Sequence, residues 1–195
     1  MARLMGGVQD LYKICGLFLF GFSSTLHALD LRKVESDYWT DRYDPYFRKQ
    51  AKHYFGPLVD WHWFKAQGIA ESDLRPDVES HKKAYGIMQL MPSTFEEIRL
   101  KGSGFGRAQI EDPRWNIAAG IYYDRYLFLT FSPIDDVSER FNYTFGAYNA
   151  GRSRILERVR RVGGEEERWP LWSNLNATLP TETSRYVERI HKLME

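Results

Sequence analysis

Residues that begin and end helices recur along this chain at short intervals, and no stretch alternates apolar and polar residues convincingly. That combination constrains the fold most. A half-buried strand needs period-two alternation, whereas helices need start and stop signals. Asp44-Pro45 opens one segment with an expected Asp cap and a first-turn proline, and Gly56-Pro57 closes it. A second helix is expected over residues 60–72, with Trp61, Phe64, Lys65 and Gly68 at helical spacing and Ile69 beside them. Polar residues 75–83 read as a loop. Pro92 starts a helix in which Ser93 with Glu96, or Thr94 with Glu97, would make a capping box. It ends in the glycine cluster 102–106, which no strand precedes and which therefore does not fit a phosphate-binding fingerprint. Asp112-Pro113 begins a long helix to about Phe131. Pro133 and Asp135 start the next, which ends near Asn149-Ala150-Gly151. A short basic helix over 153–162 stops at Gly163-Gly164. The stretch from there to Pro180 reads as irregular, and a last helix runs from Thr181 to the C-terminus. The expectation is all-α, with about seven helices.

At 195 residues, 43% of them hydrophobic, the chain supports one domain with a sizeable core. The 12 Phe, 12 Tyr and 6 Trp either fill that core or line a cleft for a ring-shaped ligand, and composition does not separate the two. A net charge of +1 carries no basic footprint, so nucleic acid is not an expected partner. The first 28 residues differ from the rest. Arg3 and Lys13 are their only basic residues, an apolar run over 14–22 follows, and Leu26-His27-Ala28 closes the segment. This reads as a secretory signal cut after Ala28. An uncleaved anchor is the alternative, and a membrane is a partner only in that case. Lys13 lies two residues before Cys15, which argues against a lipoprotein cysteine. The exported remainder would carry no cysteine, so packing alone must stabilise it.

The five histidines, His27, His53, His62, His81 and His191, form no zinc spacing, and no Gly-x-Ser-x-Gly elbow occurs. Neither metal nor cofactor is expected. Carboxylates remain. In Ile69-Ala70-Glu71-Ser72 an acid ends an otherwise apolar and aromatic helix. Buried there, its pKa would rise, as a glycosidase acid requires. A solvated helix-terminal Glu is the plainer alternative, and spacing alone does not choose.

Four ordered blocks carry a resemblance. Glu71-Ser72-Asp73-Leu74-Arg75-Pro76, then Ser80, then Gly86-Ile87-Met88-Gln89-Leu90-Met91-Pro92 form the first. Asn116-Ile117-Ala118-Ala119-Gly120-Ile121, Ala147-Tyr148-Asn149-Ala150-Gly151 and Glu182-Thr183-Ser184-Arg185-Tyr186-Val187 follow. In this pattern the chain resembles the soluble lytic transglycosylases, which have a goose-type lysozyme-like α domain. Two departures stand out. Arg75 replaces an Asn, and His81-Lys82-Lys83-Ala84 replaces a Pro-x-Gly-Ala loop, so that Lys83 occupies a glycine position expected to need a left-handed backbone.

The resemblance implies that residues 60–195 are the catalytic domain; residues 29–59 carry no family motif and are expected to form a helical extension packed under it. It implies that Glu71 is the catalytic acid and base, and that Ser80, Met88, Gln89, Tyr148, Asn149, Glu182 and Tyr186 bind substrate. For Met88 the alternative is core packing, for Ser80 a loop-turn hydroxyl and for Asn149 a helix cap. The implied substrate is the peptidoglycan glycan strand and the product a 1,6-anhydromuramic acid end. The implied setting is the periplasm or another exported site, and a monomer is expected. Two competing readings remain. One is a lysozyme using water, with Asp73, Asp77 or Glu182 as base; the other is a non-catalytic glycan-binding or secretion scaffold.

Overall fold

Asp112 shows how closely one side chain sets an element. Its carboxylate accepts the Arg114 backbone N–H at 2.9 Å, with Pro113 in the first turn, and the longest helix begins there. The computed structural model describes residues 32–102, 104–163 and 169–195, so the segment 1–28 expected to be a secretory signal lies outside the described residues. A 3-10 turn at Lys33–Glu35 precedes eight α-helices among the described residues. They are α1 (Asp44–Phe55), α2 (His62–Ser72), α3 (Pro92–Lys101), α4 (Pro113–Thr130), α5 (Val137–Ala150), α6 (Arg152–Gly163), α7 (Trp172–Asn176) and α8 (Thr181–Met194). Among the described residues only isolated bridges, Glu79 with Tyr85 and Tyr85 with Leu90, depart from this helical pattern.

Several boundaries differ from the sequence expectation. Asp44 does not cap α1; it is the first helical residue, and its carboxylate pairs with Lys65. The capping box at α3 does not form, because Met91 takes the cap position and Pro92 the first turn. Asp136, accepting from the Glu139 N–H at 2.8 Å, starts α5 in place of Pro133 and Asp135. The stretch expected to be irregular contains α7. It has no side-chain cap. Helix α5 holds it instead: Glu139 accepts the Trp172 N–H at 2.6 Å, and a Cβ on Gly146 would lie 2.2 Å from the Trp172 ring, so only glycine admits that indole.

The core lies between α4 and its neighbours α1 and α5, with α2 laid against α8 and α5 against α8. Phe55, Phe64, Phe128, Phe141 and Phe145 form a connected aromatic cluster there, with centroids 4.8 Å apart for Phe55–Phe64 and 5.0 Å for Phe128–Phe141. Most of the Phe content is therefore core, at the spacing that favours aromatic pairs. The buried stripe of α4 runs through Ile117, Gly120, Ile121, Asp124, Leu127 and Phe128, a 3.6-residue period with one acid in it.

Strain collects in the connection from α2 to α3. Asp73, Leu74, Lys83 and Gln89 all have positive φ, as does Gly86. Lys83, at φ 68°, holds the left-handed conformation expected of the glycine it replaces. Non-glycine residues in that region cost on the order of 1–3 kcal/mol each and persist only where neighbours enforce them. Here Gly86 N–H donates to Val78, and Tyr85 and Leu90 exchange backbone bonds at 2.9 and 3.0 Å.

Candidate active site

Glu71 occupies the last turn of α2, on a helix whose preceding residues Phe64, Ala66, Gln67, Gly68 and Ile69 are buried. Its Oε1 accepts a hydrogen bond from the Tyr186 hydroxyl of α8 at 2.6 Å. Burial pushes the carboxyl up to about 8; the Tyr186 bond and the Arg189 charge oppose the rise, while the nearby Glu182 charge adds to it. Glu71 is only partly buried by surface, so a face of it meets solvent although protein atoms crowd the carboxyl. Desolvation without a cation partner is the condition that keeps an acid protonated at neutral pH. Such a group donates a proton at pH 7 and accepts one back without a large penalty.

The strained connection is tied to this point from several sides. Ser72 Oγ donates to the Ile87 carbonyl at 2.9 Å. Asn116 of α4 accepts the Met88 N–H at 2.8 Å and donates to the Tyr85 and Ile110 carbonyls. Tyr148 of α5 donates its hydroxyl to the Met88 carbonyl at 2.8 Å. Burial raises the phenols of Tyr148 and Tyr186 well above their ordinary value, and the carboxyls around them add to it, so both remain neutral donors.

The residues expected at the site separate into groups. Tyr186 touches Glu71, and Tyr148 and Glu182 lie near enough for charge to be felt between them and Glu71. Asn149 accepts from Thr183 Oγ1 at 2.9 Å and so joins α5 to the first turn of α8. Gln89 turns its amide onto the Val78 and Gly86 carbonyls, bracing its own loop. Ser80 Oγ accepts the Ala84 N–H at 3.0 Å, the loop-turn arrangement. Met88 does not line an open cleft through its side chain, which is fully buried; a Cβ on Gly120 would lie 2.7 Å from its Cγ. Its backbone carries its polar contacts.

Three features went unseen in the sequence. Asn116 lies in one of the matched blocks, yet its clamp on the loop needs the fold. Tyr123 and Tyr126, stacked at 6.0 Å, wall an open groove of about 510 Å³ with Tyr122, Lys101 and Arg152. Glu71 does not line that groove, but Tyr123 does, and its ring lies 5.4 Å from that of Tyr148. Asp124 and Gln67 are both fully buried behind these residues. An Asp at an apolar position of the α4 stripe was the available signal.

A protein-family model described as the Transglycosylase SLT domain matches residues 46–169. Membrane-bound lytic murein transglycosylase F of Desulfosudis oleivorans is 28% identical over 187 residues, 85% of this chain and 39% of that protein. The Pasteurella multocida protein of the same name is 29% identical over 128 residues, 64% of this chain and 24% of its own length. The chain thus spans well under half the length of these relatives. Among solved structures, an inactive mutant of lytic transglycosylase Slt from Pseudomonas aeruginosa covers 78% of this chain and 23% of its own, with a TM-score of 0.63 and 24% identity, a likeness of fold. The 70 kDa soluble lytic transglycosylase of Escherichia coli matches 77% of this chain and 23% of its own at TM-score 0.62 and 25% identity.

Proposed function

The chain belongs to the Transglycosylase SLT domain family, and on that premise we propose that it cleaves the β-1,4 bond between N-acetylmuramic acid and N-acetylglucosamine in peptidoglycan, leaving 1,6-anhydromuramic acid ends. The observation that carries this reading is Glu71, a carboxyl raised to about 8 whose bonded partner is a phenol. Protonated at pH 7, it gives its proton to the glycosidic oxygen as the bond to the muramic anomeric carbon breaks. The carboxylate left behind takes the proton of the muramic 6-hydroxyl, whose oxygen closes on that carbon. No water is consumed, and Glu71 ends protonated again. An attacking group already on the sugar has a large proximity advantage over water. The substrate acetamido group stabilises the positive charge, so one enzymic carboxyl suffices.

Tyr186 would steady the transient carboxylate, and Glu182 and Tyr148 would complete the floor. Ser80, Gln89 and Asn149 would act mainly through the loop and helix they brace, and Met88 through its backbone. The aromatic groove would hold the neighbouring glycan. The names of the relatives place those proteins at murein, and two are named membrane-bound. For this chain we read residues 1–28 as an export signal, 29–59 as an extension, the cell envelope as the place of action and a monomer as the acting form.

Among the residues that could serve a water-using enzyme, Asp73 is engaged by Arg189 at 2.6 Å. Mass spectrometry of fragments released from purified sacculi tests the reading. Fragments ending in 1,6-anhydromuramic acid are expected, each one water lighter than a hydrolytic product. Reducing muramic ends alone would make this a hydrolase.

A further inference from the structure

Asp124 has no place in the mechanism above, yet it is an acid with no solvent exposure, one step along α4 from Tyr123. Its Oδ1 accepts from Gln67 Nε2 at 3.1 Å. Its other oxygen, Oδ2, and the Gln67 amide oxygen, Oε1, are both buried and without a donor among the described residues. Two acceptors left over on a pair of groups that already share one hydrogen bond have a simple resolution. A proton on Oδ2 donates to Oε1, and acid and amide close a cyclic pair in which both groups are satisfied. An ionised Asp124 has nothing to offer Oε1, and its own Oδ2 would lose its solvation with no replacement. No ion pair reaches Asp124 among the described residues. Cations on the same helices have other partners: Lys65 of α2 meets Asp44 at 2.8 Å, and Arg125 of α4 lies over the Phe55 ring.

We propose that Asp124 is an uncharged acid locked to Gln67 by two hydrogen bonds, and that this pair is a positioning element for Glu71. The proposal rests on the reading of Glu71 as the acid and base. Gln67 and Glu71 are four residues apart on α2, so they share one helix face. Fixing Gln67 to α4 fixes the rotation of the turn that presents Glu71. Neutrality has a second consequence. After Glu71 has given up its proton it is a carboxylate, and a second negative charge behind it would oppose that state. The groups facing this pocket are Glu71 on α2, Tyr148 on α5 and Tyr186 on α8, with Glu182 and Arg189 of α8 acting on Glu71. Burial raises Asp124 well above its ordinary range, and the Glu71 charge adds to it.

The test has two arms. In the Glu71→Gln protein at neutral pH, ordinary carboxylates are ionised, so an infrared band of a protonated buried carboxylic acid would report Asp124 alone. It should be present there and absent from Glu71→Gln/Asp124→Asn. No band in the first protein would overturn the proposal. This arm uses no substrate and stands even if peptidoglycan is not cleaved. The second arm is activity on sacculi. Asp124→Leu leaves Gln67 unpaired and should lower kcat by up to about 10²-fold, the scale of a small misplacement of a catalytic group, with KM little changed. Asp124→Asn, which can form the same cyclic pair, should restore most of that loss and leave the alkaline limb of the pH–rate profile where it is in wild type. A limb moved to lower pH by Asp124→Asn would mean that a negative charge had been removed, and would overturn the proposal, as would full kcat in a folded Asp124→Leu protein.

Discussion

Helix α2 buries an ionisable side chain in each half, and the two have opposite surroundings. Lys65 is 3% exposed, and its ammonium meets the Asp44 carboxylate of α1 at 2.8 Å, with the Trp61 ring 6.0 Å away. Glu71 lies six residues further on and has a phenol where Lys65 has a counter-ion. The Lys65 pair is a strut: each charge meets its opposite, and α1 is fastened to α2. Glu71 is close to the opposite case, an acid desolvated without neutralisation and therefore titrating near pH 8. Burial alone makes neither a strut nor a raised acid; the partner decides.

The largest effect that separates the two is expected from Glu71→Gln. General acid and base assistance are each worth about 10²–10⁴-fold, so turnover of sacculi should fall at least that far while glycan binding persists. Stability should move the other way. A carboxyl whose folded pKa is raised binds its proton more tightly in the folded state, so the fold loses stability as pH rises from the unfolded value of 4.5 toward about 8. Glu71→Gln removes that slope, and its Tm should exceed that of wild type at pH 8 and converge with it at pH 4. Lys65→Met should do the reverse. Removing one partner of a buried pair costs about 3–5 kcal/mol. The partial exposure of Asp44 puts the expected loss at the lower end, read by urea unfolding, with activity per folded molecule kept.

Two smaller changes tune Glu71 in opposite directions. Tyr186→Phe removes the bond that holds the carboxyl down, so the alkaline limb of the rate should move to higher pH. The rate should also fall by about tenfold, on the scale of about 1.5 kcal/mol for a hydrogen bond to a charged group. Glu182→Gln removes a charge that holds it up, so the limb should move to lower pH, by the least of these effects. Shifts in the same direction for both variants would break the electrostatic account.

What was legible in the sequence was whatever local chemistry fixes. Asp112-Pro113 and Gly56 mark real helix ends. Glu71 and Tyr186 stand in separate matched blocks, and the fold brings them to 2.6 Å; the missing glycine at Lys83 announced a left-handed residue. Features set by packing were hidden. The first turn of α7 is held from another helix, by Glu139 accepting the Trp172 N–H at 2.6 Å and by the Trp172 ring packed over Gly146. Asp44 looked like a cap because Asp-Pro is a common helix start, but Lys65, from the next helix, takes its carboxylate. Met88 and Gln89 are adjacent in a strained loop, and their side-chain directions depend on where Asn116 pins the backbone. Gln67 and Asp124 are 57 residues apart and meet only in the folded chain.

Everything proposed for the site turns on Glu71 holding its proton at neutral pH. Carbon-13 NMR of the side-chain carboxyl carbon in glutamate-labelled protein, assigned by its loss in Glu71→Gln, titrates this group directly. The expected midpoint is near 8, shifted upward in Tyr186→Phe. A midpoint in the ordinary carboxylate range, near 4.5, would contradict it.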